Sequence, residues 1–220
     1  MTIGVLSDTH WPTRVPAIQW EAIEAAFAGV SLILHAGDIE TPDILERLRT
    51  IAPVEAVRGD DDHFPLPLRR IIEIGGRRIG LTHGQRPFLI ERRGKVAKLF
   101  GIKTDPWNGM FADLLRWFKA DAPHAIVFGH WHRPYSGVHN SVLLFNPGAV
   151  YAPTPEMFRW QMSQPQPFAR RLLIPRWLRR AEALPPDQWP IPTVGVLTVA
   201  DDGALSTQIL DLPRVSVPAR

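Results

Sequence analysis

Cysteine is absent from the 220-residue sequence, and its absence narrows the chemistry that the protein can perform. The chain has no disulfide framework, no thiolate metal site and no thiol nucleophile. A metal ion must therefore be held by histidine, aspartate, glutamate or asparagine side chains, which suit hard or borderline divalent ions.

Long uninterrupted hydrophobic runs are also missing. No segment approaches the roughly 20 apolar residues that a transmembrane helix needs. The longest candidate, around residues 25–36, is broken by Gly29, Ser31 and His35. The N-terminus leads straight into a strand-like run and lacks the basic start and apolar stretch of a secretory signal. The sequence therefore predicts no transmembrane segment and, by default, a cytoplasmic protein.

The composition is that of an ordinary globular protein, with 45% hydrophobic and 21% charged residues. A chain of this length can bury a real core, so we predict a single domain spanning residues 1–220. The net charge of +3 and the isoelectric point near 9.7 suit an anionic substrate, although many proteins without one share this balance. No stable nucleic-acid binding is predicted, and homo-oligomer formation stays open.

Apolar runs alternate with helical patterns in the first 60 residues. Buried strands are predicted at residues 3–6, 32–34 and 54–57, and helices at residues 17–28 and from Pro42 onwards. This alternation of strands and helices is typical of a partly parallel sheet with helices packed on it.

The rest of the chain does not continue this alternation of strands and helices. Gly75 and Gly76 separate two strand-like runs, which predicts a β-hairpin. A second hairpin is predicted around Asp201, Asp202 and Gly203 near the C-terminus. The remaining predicted elements are helices at residues 88–100 and 107–119 and strands at residues 125–128 and 142–145.

Polar side chains follow five of these strands at the points where the strands end. Each cluster alone is weak evidence, because an Asp-x-His pair, a Gly-Asp turn or a single histidine is common in loops. Together they are informative, because ligands of open α/β sheets bind outside the carboxyl ends of the strands. The clusters are Asp8 with His10, Asp38, Asp60, His83, and His130 with His132.

This order of clusters resembles the calcineurin-like metallophosphoesterase superfamily, whose pattern is D-x-H, G-D, G-N-x-[DE], H and G-H-x-H. Two shorter matches, Leu6-Ser7-Asp8-Thr9-His10 and Asn146-Pro147-Gly148-Ala149, resemble its small bacterial and archaeal phosphodiesterase branch. The resemblance covers about residues 1–150 and the closing hairpin from Val194. It implies an α/β fold in which a mixed β-sheet core lies inside a four-layer α-β-β-α sandwich.

The resemblance also implies two divalent metal ions, with Mn²⁺ the leading expectation and Fe, Zn, Ni or Co the alternatives. A hydroxide between the ions would attack phosphorus in line, while the ions neutralise charge on the phosphoryl oxygens. The implied catalytic residues are Asp38, Asp60 and His130, with Asp61 and Asp62 as further candidates. By motif position, one ion would take Asp8, His10, Asp38 and His132, and the other Asp38, Asp60, His83 and His130.

The sequence departs from the family pattern after Gly59. Asp60 replaces the usual asparagine and is expected to remain a ligand, with Asp61 or Asp62 as the alternative. Asp61 stands where many relatives have a histidine that protonates the leaving group, and a carboxyl acid beside two cations suits that task poorly. An ester with a good leaving group is therefore expected. Asp62 matches an acidic residue that usually orients a histidine, and His63 is typical of a surface turn.

Proline, arginine and tryptophan gather at about residues 151–192, a stretch that we expect to be an insertion before the closing hairpin. One interpretation is a solvated arm whose tryptophans pack on the body or on a second subunit. A second is a basic, aromatic lid over a phosphorylated or nucleotide-like substrate. A third is a segment that binds a membrane surface or a partner.

Three functions stay open at this point. A phosphodiesterase or broad phosphoesterase is the leading hypothesis. A phosphomonoesterase of the same fold is a close alternative, because the two differ only in what surrounds the phosphate. A non-catalytic scaffold that resembles the retromer subunit of this superfamily is the third, although all seven metal positions here carry metal-capable side chains.

Overall fold

The computed structural model describes residues 1–86 and 109–217, and the ten strands in these ranges form two five-stranded sheets. The first sheet has the order β10-β9-β1-β2-β3 and the second the order β4-β5-β6-β8-β7. The strands of the first sheet are β1 (Thr2–Leu6), β2 (Leu32–His35), β3 (Val54–Ala56), β9 (Thr193–Val199) and β10 (Leu205–Asp211). Those of the second are β4 (Arg69–Ile74), β5 (Arg77–Thr82), β6 (Ala125–Val127), β7 (Pro134–His139) and β8 (Val142–Pro147).

Parallel pairing fixes where the loops after the strands lie. In the first sheet β1, β2 and β3 run parallel, with Leu6 opposite His35 and His35 opposite Ala56. In the second sheet β5, β6 and β8 run parallel, with Leu81 opposite Val127. Because parallel strands end at the same edge, each sheet presents its polar loops together.

The two sheets pack face to face through alternating apolar residues. Ile3 and Val5 of β1 point into the space between the sheets, where Leu81, Val127 and Phe145 of the second sheet meet them. Gly4 and Leu6 face the other way, and a Cβ on Gly4 would lie 2.9 Å from the ring of Phe27. The period of two along β1 therefore separates an inter-sheet core from a sheet-to-helix core.

Helices cover both outer faces. The first sheet carries α1 (Trp20–Ala26) and α2 (Pro42–Arg49), which pack on it through residues such as Ile23, Ile44 and Leu48. The second sheet carries α3 (Met110–Trp117), whose Leu114 packs beside Ile126. The order helix, sheet, sheet, helix confirms the four-layer α-β-β-α fold expected from the sequence.

Some elements differ from their sequence predictions. The helix predicted at residues 17–28 begins only at Trp20, and β7 was not predicted at all. That edge strand starts at Pro134 and alternates between exposed and half-buried residues, so it carries no apolar run. The helix predicted at residues 88–100 lies outside the described residues.

Two helices, α4 (Pro155–Ser163) and α5 (Phe168–Glu182), occupy most of the stretch between β8 and β9. They pack on each other through Phe158, Ile174 and Ala181. Met157 and Trp160 of α4 join a cluster with Tyr151, which attaches the pair to the body of the protein. None of the helices in the described ranges is both long and apolar enough to cross a bilayer.

Candidate metal centre

The loops after β1, β2, β3, β5 and β6 bring their polar side chains together at one edge of the two sheets. Three groups of candidate metal ligands form there, the third being His10, Glu40 and Asp61, and within each group one ligand atom per residue lies within 4.8 Å of the others. The first group is Asp8, His10, Asp38 and His132, and the second is Asp60, His83 and His130. These are the two sets that the family resemblance implies, with Asp38 assigned to both.

The first group is tightly spaced, and Asp8, His10 and Asp38 are buried whereas His132 is half-buried. His10 Nε2 lies 3.2 Å from His132 Nε2 and 3.2 Å from Asp38 Oδ2. His132 Nε2 also lies 3.1 Å from Asp8 Oδ1. Two atoms bound about 2.1 Å from one ion at tetrahedral angles are about 3.4 Å apart, so these spacings suit a shared ion.

The second group continues from the same carboxylate. Asp38 Oδ2 lies 3.3 Å from His83 Nε2, which in turn lies 3.3 Å from His130 Nδ1. His130 Nδ1 is 3.4 Å from Asp60 Oδ2. A single oxygen of Asp38 therefore faces one imidazole from each group.

Hydrogen bonds fix which nitrogen of two histidines faces the centre. His83 donates its Nδ1–H to the Ala36 carbonyl at 2.7 Å, because a carbonyl can only accept. His10 Nδ1 lies 3.0 Å from the Glu40 carboxylate, which likewise only accepts. In the neutral form each imidazole then presents the lone pair of Nε2 toward Asp38, and such support of a ligating histidine is typical of metal sites.

The charges of the centre are poorly balanced by protein groups alone. Asp8 Oδ1 is fully buried and makes no well-formed hydrogen bond among the described residues, although His132 Nε2 lies 3.1 Å away. Burial acts to lower the pKa of His83, but Asp38 outweighs it and raises that pKa to about 10. Burial and the charge of Arg14 lower the pKa of His10. A cation near Asp38 would replace the proton on His83 and satisfy Asp8, so the residues present fit divalent ions.

Backbone strain concentrates at the same residues. Six of the nine non-glycine residues with positive φ in the described ranges lie in or beside the two groups. A left-handed conformation costs roughly 1–2 kcal/mol for such a residue, and it persists where function or packing holds it. The six are Asp8, His10, Asp38, Glu40, His130 and His132, with φ between 47° and 73°.

Glycines allow these loops to approach one another. A Cβ on Gly59 would overlap Oδ1 and the main-chain nitrogen of Asp38. A Cβ on Gly129 would overlap the Ser7 hydroxyl and lie 2.8 Å from Asp8 Oδ2. The glycines that precede Asp60 and His130 are therefore required by close contact with the carboxylates of the first group.

Asp62 supports the centre from behind, in a different way from the one expected. Its Oδ1 accepts the N–H groups of Ile39 and Glu40, each at 2.7 Å, and its Oδ2 accepts those of Gly59 at 2.7 Å and Asp38 at 3.1 Å. The family role implied for this position was to orient a histidine. Here the carboxylate instead ties together the main chain of the loops that follow β2 and β3.

The neighbouring acids of this turn have separate partners. Asp60 lies beside His130. Partial burial raises the pKa of Asp60, although His130 and His83 act to lower it. Asp61 forms an ion pair with Arg14, lies 3.4 Å from His10 Nδ1 and donates its main-chain N–H to Asp38 Oδ1 at 3.0 Å. His63 is exposed, as expected for a residue of a surface turn.

His35, the last residue of β2, is buried behind the centre. Its Nδ1 accepts the Gly37 N–H at 3.2 Å, and its Nε2 lies 3.3 Å from the Thr9 hydroxyl. Burial lowers its pKa to about 4, which keeps the ring neutral.

Sequence reasoning missed three residues that surround the first group. Glu40 lies against His10, Arg14 pairs with Asp61, and the buried Tyr151 ring stands edge-on to His10 and His132, with centroids 5.7 and 5.3 Å apart. Glu40 could have been found as an acid two residues after Asp38. The other two had no signal, because each is brought in by tertiary packing.

The sequence matches a family model over residues 1–162, described as the calcineurin-like phosphoesterase superfamily domain. The chain therefore belongs to this superfamily, which confirms the resemblance and places it among metal-binding phosphoester hydrolases. A probable metallophosphoesterase of Methanothermobacter thermautotrophicus is 39% identical over 156 residues, covering 70% of this chain and 79% of the relative. Another from Methanocaldococcus jannaschii is 34% identical over 153 residues and covers 70% of each chain.

Solved structures share the fold at low sequence identity. Vps29 from Entamoeba histolytica in complex with Zn²⁺ is 21% identical with a TM-score of 0.59, covering 96% of this chain and 99% of that chain. An archaeal phosphodiesterase is 17% identical with a TM-score of 0.51, covering 96% of this chain and 100% of that chain. Both confirm the architecture.

We predict that Glu40→Ala lowers Mn²⁺ affinity by about 10- to 100-fold, because His10 loses the carboxylate that holds its Nδ1–H. Glu40→Gln should retain part of the affinity, since its amide oxygen can still accept. Isothermal titration calorimetry measures the effect, and Glu46→Ala, an exposed residue of α2, is the matched control. Unchanged affinity in Glu40→Ala would show that His10 needs no support.

Proposed function

We propose that this protein is a phosphodiesterase that works with two divalent ions held by the two groups. The observation that best supports this is the position of Asp38 Oδ2, which lies within 3.3 Å of one imidazole nitrogen from each group. Two ions bound there would lower the pKa of a water between them and neutralise charge on the phosphoryl oxygens. Mn²⁺ is the proposed ion, with Fe, Zn, Ni and Co as alternatives, since imidazole and carboxylate ligands suit them all.

Each residue of the centre has a proposed task. Asp38 supplies the shared ligand, and Glu40 and the Ala36 carbonyl hold His10 and His83 with Nε2 toward it. Asp62 fixes the main chain on which Asp38 stands. The remaining proposed ligands are Asp8 and His132 for the first ion and Asp60 and His130 for the second.

Asp61 is proposed to position Arg14 and not to protonate the leaving group. Its carboxylate is engaged with the guanidinium group, and the loop places it beside His10 at the first group. A substrate whose leaving group departs as a stable anion is therefore favoured, as the aspartate at this position suggested.

Catalysis is proposed in preference to a scaffold role. All seven candidate ligands carry metal-capable side chains and lie together in the two groups. The Entamoeba Vps29 structure holds Zn²⁺ in the same fold, so metal binding alone does not distinguish the two roles. The archaeal phosphodiesterase of this fold supports the proposal that the substrate is a phosphodiester. A measurement of diester hydrolysis by this protein distinguishes an enzyme from a scaffold. A cytoplasmic location and a single-domain organisation stay predictions.

We predict that Asp38→Asn reduces hydrolysis of bis-p-nitrophenyl phosphate in Mn²⁺ by more than about 100-fold, the upper end for residues that only support a ligand. Asparagine keeps the shape but removes the charge that faces both imidazoles. Initial rates with and without added Mn²⁺ provide the measurement, and Asp43→Asn on the exposed side of α2 is the matched control. Retained turnover in Asp38→Asn would refute a shared ligand.

We also predict that the wild-type protein hydrolyses bis-p-nitrophenyl phosphate faster than mono-p-nitrophenyl phosphate. The two compounds share a leaving group, so the comparison isolates the substituent and the charge of the phosphate. Parallel kcat/KM measurements in Mn²⁺ are required. Equal or greater monoester activity would replace the diesterase assignment with a phosphomonoesterase.

A further inference from the structure

Three polar residues, Arg14, Gln161 of α4 and Arg170 of α5, form a hydrogen-bonded arrangement next to the first ligand group. Gln161 of α4 is fully buried and donates its amide N–H to the Arg14 carbonyl at 2.8 Å. Its Oε1 accepts from Arg170 Nη2 of α5 at 3.0 Å. Gln161 therefore connects Arg170 to the segment that follows His10.

Arg14 lies between this arrangement and the metal centre. Its guanidinium group pairs with Asp61, which lies 3.4 Å from His10 Nδ1. It also contacts the hydroxyl of Tyr151, whose ring packs against His10 and His132. An anion bound by Arg14 would thus lie within a side-chain length of the first group.

Only some of the hydrogen-bond donors of Arg170 have partners within the described residues. Its Nη2 binds Gln161 and its guanidinium lies 5.6 Å from the centroid of the Trp177 ring. Its Nε is buried and has no hydrogen-bond partner among the described residues. A buried donor without a partner destabilises the protein, and a bound acceptor would remove that cost.

The two guanidinium groups also repel each other. Burial lowers the pKa of Arg170 and the neighbouring charge of Arg14 lowers it further, while Tyr151, Asp61 and Glu40 act to raise it. Asp61 pairs with Arg14 and lies on the metal side of the arrangement. Two like charges held together in a partly buried place are stabilised by a multiply charged anion, and guanidinium groups match phosphate oxygens in geometry.

We propose that Arg14 and Arg170 bind a second phosphate group of the substrate, next to the phosphodiester that is cleaved. This inference rests on the proposed function and adds a substrate class to it: phosphate diesters that carry a further phosphate. Arg170 would act as a specificity-determining residue contributed by α5, and Gln161 as the residue that positions it.

The first test compares two diesters with the same leaving group. Thymidine 5′-(p-nitrophenyl phosphate) has no second phosphate, whereas its 3′-phosphorylated form does. The wild-type protein in Mn²⁺ should show a KM about 10-fold lower for the 3′-phosphorylated ester, the size of one charge-assisted contact. Arg170→Gln should reduce this ratio toward one, Arg170→Lys should keep part of it, and the exposed Arg171→Gln should keep all of it.

The second test does not depend on turnover. Inorganic pyrophosphate is titrated calorimetrically into chelator-treated protein, where the arginines and not the metal would bind it. The wild type and Arg171→Gln should bind, and Arg170→Gln should bind about 10-fold more weakly. Pyrophosphate binding without any hydrolysis of either ester would refute the proposed function and keep the anion site.

Two results would overturn the anion site itself. One is the absence of pyrophosphate binding to the chelator-treated wild type. The other is an Arg170→Gln protein that has the wild-type melting temperature and also the wild-type pyrophosphate affinity and KM ratio.

Discussion

The Asp38 carboxylate is the group on which the arrangement of the site depends. It is 4% exposed, and one of its oxygens faces His10 and His83 from opposite groups. The other carboxylate oxygen accepts a hydrogen bond from the main-chain N–H of Asp61. The main-chain N–H of Asp38 donates to the Asp62 carboxylate. A buried carboxylate surrounded by imidazoles is stable only when positive charge lies close to it. That requirement explains why so many polar groups converge at this edge of the sheets.

The two-sheet architecture meets this requirement by bringing residues together from both layers. Asp8, His10 and Asp38 follow parallel strands of the first sheet, whereas His83 and His130 follow parallel strands of the second. The inter-sheet core of Ile3, Val5, Leu81 and Val127 sets the separation of the two edges. Stability and function are therefore linked, because loosening this core would move one half of the centre relative to the other.

The sequence was sufficient for the parts of the molecule that depend on local pattern. Strand ends marked by Gly-Asp and Gly-His indicate the loops, and the parallel order implies that the loops meet. The surrounding contacts were not predictable, because they join distant positions. Gln161 reaches the main chain of Arg14 across 147 positions, and Arg170 reaches the site only through the packing of α5 on α4. The edge strand β7 escaped prediction because half-buried residues leave no hydrophobic run.

We propose that the buried carboxylates and imidazoles around Asp38 are arranged for two cations. The most direct test is a calorimetric titration of the chelator-treated full chain with Mn²⁺, read as the number of ions bound per chain. Two ions per chain are predicted for the wild type. Binding of one ion or fewer per chain by correctly folded protein would contradict this proposal.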